Sequence, residues 1–225
     1  FDVAGRDGAR NSRWGFAPSV RVTLSPNTQL QLDWLHQYEN DRPDYGIPWF
    51  NGAPAKVARN NFYGFASDYL RTNVNVVTAK LSHEFSDSLI LSTKVRYSDD
   101  SREFRTSEAV VPAGVAATTP LSSITLNRNE FAGFSRELFM QDQTELAAKF
   151  STGMLKHNLV AGVELGFESP RPTYIFFTGV PTTNLASPPS QTFSDTLAYV
   201  RLNARTDANT AGLYALDTID IGDHW

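Results

Sequence analysis

Residues 14–40, WGFAPSVRVTLSPNTQLQLDWLHQYEN, alternate between apolar and polar side chains on both sides of one short polar segment. From Trp14 to Leu24 the apolar side chains occupy the even positions, and the odd positions are small or polar. The stretch from Gln29 to Asn40 alternates in the same way, except at positions 35–36. A period of two is the pattern of a β-strand with one apolar face, and Ser25–Thr28 is rich in residues that favour turns. The pattern predicts an antiparallel hairpin.

The hairpin pattern recurs along the rest of the chain. Short turns are predicted at Ser86–Ser88 and Thr152–Lys156, whereas long polar connections cover residues 40–71, 99–138 and 169–209. The further predicted strands are one that ends at Phe85 and the stretches Leu89–Ser98, Gln141–Ser151, His157–Glu168 and Thr210–Ile221, the last followed by a turn at Gly222–Asp223. Tight turns on one side and long loops on the other are typical of bacterial outer-membrane barrels. The sequence therefore predicts an all-β protein, an antiparallel up-and-down transmembrane β-barrel.

Aromatic residues near the strand ends support a membrane crossing. They lie near the long connections at Trp14, Tyr38, Tyr97 and Phe167, and near the short turns at Phe85 and Phe150. Outer-membrane barrels carry aromatic girdles at both interfaces. About seven strands are too few to close such a barrel, and an open sheet would leave unpaired backbone groups in hydrocarbon. We therefore expect residues 1–225 to form the central part of a larger barrel domain, with the closing strands absent.

Parts of the pattern also fit other interpretations. A soluble all-β domain with long loops would alternate for the same reason. The stretch Arg136–Phe150 has helix-compatible spacing and good helix formers. A change of phase at Val76–Val77 suggests a β-bulge. Strand 210–221 has apolar residues on both faces, so its phase stays open.

Composition and motifs argue against several other classes of protein. The 225 residues are 41% hydrophobic and 20% charged, with a net charge of −4, which suits a folded protein and gives no electrostatic support for a nucleic-acid partner. Cysteine is absent, and no apolar run is long enough for a transmembrane helix. The sequence contains no His-x-x-x-His, Gly-rich phosphate loop or G-x-S-x-G motif, and its four histidines are far apart. We predict neither an enzyme nor a metal site.

Five stretches resemble a known family. They are GRDGARNSRWGFAPSVRVTL (5–24), LDWLHQYENDRPDYGIPWFNGAPAKVARNNFYG (32–64), LSHEFSDSLILSTKVRYSDDSREFR (81–105), KHNLVAGVELGFE (156–168) and AGLYALDTIDIGDHW (211–225). Together they resemble TonB-dependent outer-membrane ferric-siderophore receptors, most closely the catecholate-type branch. The single pieces are weakly specific, whereas several of them in family order are a strong signal.

The resemblance implies a barrel of about 22 strands closed by an N-terminal plug. It also implies an outer-membrane location and import of a ferric siderophore with energy from the TonB complex. The plug is absent from these residues, the ferric siderophore is the transported ligand, and no covalently bound cofactor is expected. Alternatives are a TonB-dependent receptor for cobalamin, haem or an oligosaccharide, a passive porin, and a soluble carbohydrate-binding β domain.

The polar face of the predicted strands carries charges of both signs. These residues are Arg21, Asp33, Lys80, Glu84, Lys94, Arg96, Glu145, Lys149 and Glu164. Such a lining would contact a plug and guide a charged solute, or it would simply be a hydrated barrel interior.

The connection Asn40–Arg71 is the predicted ligand-binding surface. Its candidate residues are Arg42, Tyr45, Trp49, Phe50, Lys56, Arg59, Tyr63 and Tyr69. Aromatic side chains stack on catechol rings, and cations attract an anionic chelate. In the alternative interpretation these aromatic residues pack on each other or on the barrel rim.

Overall fold

A computed structural model describes residues 5–194 and 198–221, which form an all-β chain with one short 3-10 turn at Leu121–Ser123. The strands are β1 Arg13–Phe16, β2 Ser19–Ser25, β3 Thr28–Asp41, β4 Trp49–Phe50, β5 Ala53–Pro54, β6 Tyr69–Ser86, β7 Leu89–Val110, β8 Thr125–Thr152, β9 Leu155–Phe177, β10 Thr183–Asn184, β11 Ala198–Asn203 and β12 Ala208–Ile221. The predicted turn at Gly222–Asp223 lies outside the described residues.

The main sheet is antiparallel and joins neighbours in chain order. Strands β3, β6, β7, β8 and β9 follow one another, β1 and β2 both pair with β3, and β11 and β12 both pair with β9. Among the described strands, the two ends of this sheet do not pair with each other. The up-and-down topology confirms the predicted fold class, and the sheet is an open arc.

The two faces of the sheet carry different side chains, as two adjacent cross-strand rows show. One row consists of Leu30, Leu81, Thr93, Thr144, Val163 and Leu213, and the next of Gln31, Lys80, Lys94, Gln143, Glu164 and Gly212. We call the face with the first row the outer face and the face with the second row the inner face. All nine charged residues predicted to share the polar face lie on the inner face.

The outer face is an exposed apolar surface. Leu24, Val77, Leu91, Val95 and Leu165 are among the large apolar side chains that it leaves open. Contiguous exposed apolar surface of this extent is unusual in soluble monomers, and an outward apolar band is a property of membrane barrels. None of the described residues forms a helix that is long and apolar enough to cross a membrane.

Aromatic rings border this apolar surface. Trp14, Phe16, Trp34 and His36 form one contacting group with ring centroids 4.7–6.5 Å apart. Near the short turn between β8 and β9, the ring of Phe150 stacks on the ring of His157 at 4.6 Å. Trp14, Tyr97 and Phe150 are exposed, as residues at a membrane interface are expected to be.

Three strands are much longer than predicted. Strands β7, β8 and β9 contain 22, 28 and 23 residues, so most of the connection predicted at 99–138, and a large part of the one predicted at 169–209, is paired strand. The predicted bounds of these two loops are therefore wrong, and the connections that remain are 111–124 and 178–194. Beyond the apolar surface neither face needs apolar residues, so the strands continue through backbone pairing without the alternation that marks them in the sequence.

The structure also decides three local points that the sequence left open or predicted: a helical alternative, a β-bulge and the phase of the last strand. Arg136–Phe150 is strand throughout, so the helical alternative is wrong. The register of β6 with β7 shifts only between Glu84 and Ser86, so the bulge at Val76–Val77 is wrong; Val76 is an apolar residue on the inner face. In β12, pairing with β9 places Leu213 on the outer face and Tyr214 on the inner face.

Candidate functional site

A small core lies on the side of the sheet where the long connections are, which we call the loop side. Ala55, Tyr63, Ile124, Leu126 and Leu185 are buried together there. They come from the connections 42–68, 111–124 and 178–194 and from the start of β8. The connections are therefore packed against the sheet rather than free.

A cleft of about 340 Å³ opens on the inner face at the loop side. Its lining residues are Pro43, Asp44, Tyr45, Leu70, Arg102, Phe104, Thr106, Phe131 and Tyr174. Strands β6 to β9 each contribute at least one of them, and connection 42–68 supplies the first three. Alternation within the strands determines which side chains enter: Phe104 and Thr106 point to the inner face, and the intervening Arg105 points to the outer face.

Aromatic rings form most of the cleft wall. The ring of Phe104 lies 6.1 Å from the rings of both Phe131 and Tyr174, edge to face, and Tyr45 meets Phe131 at 6.3 Å. The Phe104 ring lies across β8 at Gly133, where an added Cβ would be 2.5 Å from the Phe104 Cε1 atom. Gly133 is therefore required for this ring position.

Charged groups give the cleft a positive side. The Arg102 guanidinium lies 4.7 Å above the ring of Phe104, and Arg102 forms no salt bridge with another described residue. The Asp44 carboxylate is already paired with Arg6 at 2.7 Å. Tyr45 is 58% exposed, and the partial burial of its phenol raises the pKa of that group. The hydroxyl is protonated at neutral pH, as in any tyrosine with an ordinary or raised pKa, and can donate a hydrogen bond.

The residues predicted from the sequence are placed in different environments. Of the eight, Tyr45 lines the cleft. Trp49 is 67% exposed at the start of β4, and Phe50 packs against the small core. Tyr63 is only 3% exposed, and its hydroxyl donates to the Leu185 carbonyl at 2.7 Å. Tyr69 points to the outer face, where its hydroxyl donates to Glu103.

The three predicted cations differ in their contacts. Arg42 donates to the Gly8 carbonyl at 3.1 Å, the Arg59 carbonyl accepts a hydrogen bond from Arg6, and Lys56 is exposed. Sequence reasoning did not single out Arg102, Phe104, Phe131 or Tyr174, because all four lie in stretches assigned to loops. The aromatic residues at alternate positions 174 and 176 were the available signal that strand pairing continues there.

On the outer face of the same strands, three buried charged residues and the half-buried Arg105 tie the connections to the sheet. We call Asp68, Arg105, Arg128 and Glu130 the buried ion cluster. The Arg105 Nε donates to Glu130 at 2.5 Å, and the Asp68 carboxylate accepts hydrogen bonds from the Ser107 backbone N–H and hydroxyl. The cluster joins the segment before β6 to β7 and β8.

Arg128 extends this cluster to a second connection. Its guanidinium donates to the carbonyls of Pro181 and Thr182 at 2.7 and 3.0 Å and to the side chain of Gln191. It also lies 3.8 Å from the ring of Phe65. Connections 42–68 and 178–194 are thus held by the same arginine.

Burial dominates the ionisation of the cluster. It raises the pKa of Glu130 from 4.5 to about 7, against the opposing effect of the hydrogen bond from Arg105. Burial also raises the pKa of Asp68 and lowers the pKa of Arg128. One Glu130 oxygen and one Asp68 oxygen have no hydrogen-bond partner among the described residues. The cluster is therefore held together at a cost in desolvation.

Metal-binding geometry is not seen in the described part of the chain, where no three His, Cys, Asp or Glu side chains are grouped to hold an ion. The aromatic walls and free guanidinium of the inner-face cleft suit a flat, anionic ligand.

Curated relatives cover nearly all of this chain. It is 29% identical over 235 residues to the catecholate siderophore receptor Fiu of Escherichia coli O6:H1, an alignment that covers 97% of this chain and 31% of Fiu. It is 26% identical over 250 residues to the probable TonB-dependent siderophore receptor PiuA of Acinetobacter baumannii, covering 97% of this chain and 32% of PiuA. The chain thus spans about a third of the length of these relatives. Their names are those of receptors, which agrees with the prediction that the chain is not an enzyme.

Solved structures match the fold over the same extent. The crystal structure of the ferric-catecholate import receptor Fiu from Escherichia coli K12, in its closed form, superposes with a TM-score of 0.82 at 26% identity, covering 99% of this chain and 34% of that one. The siderophore receptor PiuA from Acinetobacter baumannii gives a TM-score of 0.81 at 21% identity, covering 98% and 34%. A family model described as "TonB dependent receptor-like, beta-barrel" matches residues 13–225. The chain belongs to the TonB-dependent receptor β-barrel family.

Proposed function

We propose that this chain forms part of the barrel wall of an outer-membrane receptor that binds a ferric siderophore of the catecholate type and imports it with energy from TonB. The observation that carries the proposal is the aromatic cleft with its free arginine, on the inner face and beyond the apolar surface. The names of the relatives add the chemical class of the ligand.

The sheet itself supports a place in a larger barrel. Its outer face suits lipid, and its edges at β2 and β12 leave backbone groups that need partners in hydrocarbon. We propose that further strands pair with both edges, so that residues 1–225 are a central segment of the barrel. The inner face is then the lumen, and the loop side is external.

The cleft matches a ferric catecholate in shape and charge. Catechol rings are flat and stack on Phe131 and Tyr174, which the buried Phe104 ring supports from behind. A tris-catecholate iron complex is anionic, and Arg102 offers a guanidinium that no described carboxylate neutralises. Iron arrives already chelated, so the site needs no metal ligands of its own.

The predicted residues divide into two roles in this proposal. Tyr45 contacts the ligand within the cleft, and Arg42, Trp49, Lys56 and Arg59 form a rim that the ligand meets first. The remaining three, Phe50, Tyr63 and Tyr69, hold the connection in place through the contacts described above.

The test is ferric-catecholate binding by the whole receptor that contains this chain. Arg102→Ala is expected to weaken binding roughly tenfold, the size of effect produced by a lost cation–π contact and charge–charge attraction. Arg71→Ala is the matched control, because Arg71 also lies over an aromatic ring, at 4.4 Å from Tyr69, but on the outer face. Equal effects of both variants would argue against the cleft as the site.

Growth assays separate this ligand from the alternatives. Cells that depend on the receptor are expected to lose growth on a ferric catecholate when it is deleted. Unchanged growth on every ferric chelate, with loss of cobalamin, haem or oligosaccharide use instead, would overturn the siderophore assignment and leave the barrel assignment standing.

A further inference from the structure

Three arginines lie side by side on the outer face, at the loop side of the apolar surface. Arg136 of β8 and Arg171 of β9 are direct cross-strand partners. Arg205 lies opposite Arg171 on the other side, because the end of β11 and the whole of β12 pair with β9 in one register. All three side chains are exposed. We call these three residues the arginine row.

The carboxylates beside the arginine row neutralise only its two ends. Asp99 pairs with Arg136 at 2.6 Å, and Asp207 pairs with Arg205 at 2.9 Å. Arg171, in the middle, forms no salt bridge with another described residue. Like charges directly opposite each other destabilise a sheet. An anion that binds between the arginines would therefore stabilise this part of the wall.

The arginine row lies a short distance beyond the aromatic border of the apolar surface. Phe167 and Met140 are cross-strand partners at this border, and Arg171 and Arg136 each follow four residues further along the same two strands. Four residues of a strand tilted by about 40° rise about 10 Å. Aromatic residues mark the level of the lipid headgroups, and long arginine side chains reach toward that polar layer. The row therefore lies where the headgroups of lipids on the apolar surface would be.

We propose that the arginine row binds a phosphate group on the headgroup of an outer-leaflet lipid, whose chains cover the apolar surface next to the row. The proposal rests on the proposed function, because the outer face contacts lipid only in a closed barrel. Guanidinium groups bind phosphate oxygens through paired hydrogen bonds. Neighbouring strands are about 4.8 Å apart, so two adjacent arginines can bind one phosphate. An acidic protein partner would not need the apolar surface that continues from the row, whereas a lipid uses both.

Native mass spectrometry of the whole receptor in detergent tests the proposal. The probes are diphosphorylated lipid A and the same lipid with both phosphates removed. The phosphorylated lipid is expected to bind more tightly, and Arg171→Ala should weaken its binding about fivefold, the size of effect of one basic residue near an anionic lipid surface. Arg96→Ala is the matched control, because it removes the same charge from the inner face and should leave lipid binding unchanged.

Three results would overturn the lipid site. They are equal lipid binding by the Arg171→Ala and Arg96→Ala variants, equal binding of the two lipids by the parent receptor, and binding of inorganic phosphate as tightly as the phosphorylated lipid. Ferric-catecholate binding by Arg171→Ala should stay at the parent level, which shows that the variant is folded. A receptor that binds the lipid as proposed but binds no ferric chelate would instead contradict the proposed function and leave the lipid site standing.

Discussion

At the scale of single residues, the candidate ligand site depends on the alternation of side chains along β7. Phe104 and Thr106 point into the cleft, whereas Arg105 between them points to the outer face. Tyr45 was visible in the sequence because it lies in an aromatic, basic connection. Arg102 was not, since its neighbours in the sequence are polar on both faces and give no period to follow. The chemistry of the site could be predicted from residue types, but its location could not, because it depends on how far the strands continue.

Gly133 provides a test of the cleft wall. Gly133→Ala places a methyl group 2.5 Å from the Phe104 ring, and relieving such an overlap typically costs about 1–3 kcal/mol. We expect weaker ferric-catecholate binding together with lower thermal stability. Gly212→Ala is the control, because nothing lies within 4 Å of a Cβ added there. Equal binding by the two variants would show that the Phe104 ring position is not needed.

Glu130 gives the buried ion cluster a pH dependence. The folded chain holds this proton up to about pH 7, and the unfolded chain releases it near 4.5. The stabilisation is therefore complete below pH 4.5 and is lost as the pH rises to 7, by on the order of 3 kcal/mol. After correction for the rise of the intrinsic exchange rate with pH, hydrogen exchange of the Phe65 and Ala66 amides should quicken over that range and then level off.

Glu130→Gln is the matched variant for this pH effect. This variant should remove most of the pH dependence of exchange. The contribution of Asp68 should remain, because burial raises its pKa as well. Exchange that slows as the pH rises, after correction for its intrinsic rate, would contradict the assignment.

At the scale of elements, the sequence predicted strands well where one face is apolar and poorly where neither is. The hairpin of β2 and β3 was predicted to within a few residues, because lipid on one face and polar groups on the other impose a period of two. The loop-side halves of β7, β8 and β9 were assigned to loops. Their pairing is carried by backbone hydrogen bonds, which impose no apolar–polar alternation on the side chains.

Neighbouring residues on β7 test the assignment of faces. Leu91→Arg should impair assembly into the outer membrane, since an arginine on the lipid face costs about 2–4 kcal/mol near the midplane. Ser92→Arg should be tolerated, because its cross-strand partner on the inner face is Glu145. The fraction of heat-modifiable, folded receptor in isolated membranes measures both, and equal assembly of the two variants would be inconsistent with the faces assigned here.

At the scale of the whole molecule, the described sheet is an arc whose two faces meet different solvents. In the proposed barrel the apolar outer face contacts lipid, the charged inner face contacts water or protein, and further strands pair with both edges. Family membership and the fold agree with this division. The cleft and the buried ion cluster then lie at the loop side of one wall, the cleft on its inner face and the cluster on its outer face.

Accessibility of single spin labels along β7 tests this account most directly. The chain contains no cysteine, so one cysteine at a time from Leu89 to Tyr97 can be labelled in the whole receptor in membranes. We predict oxygen accessibility at the odd positions and accessibility to a water-soluble nickel reagent at the even positions. Equal access of the nickel reagent at both sets of positions would contradict the assignment of one face to lipid and the other to the lumen.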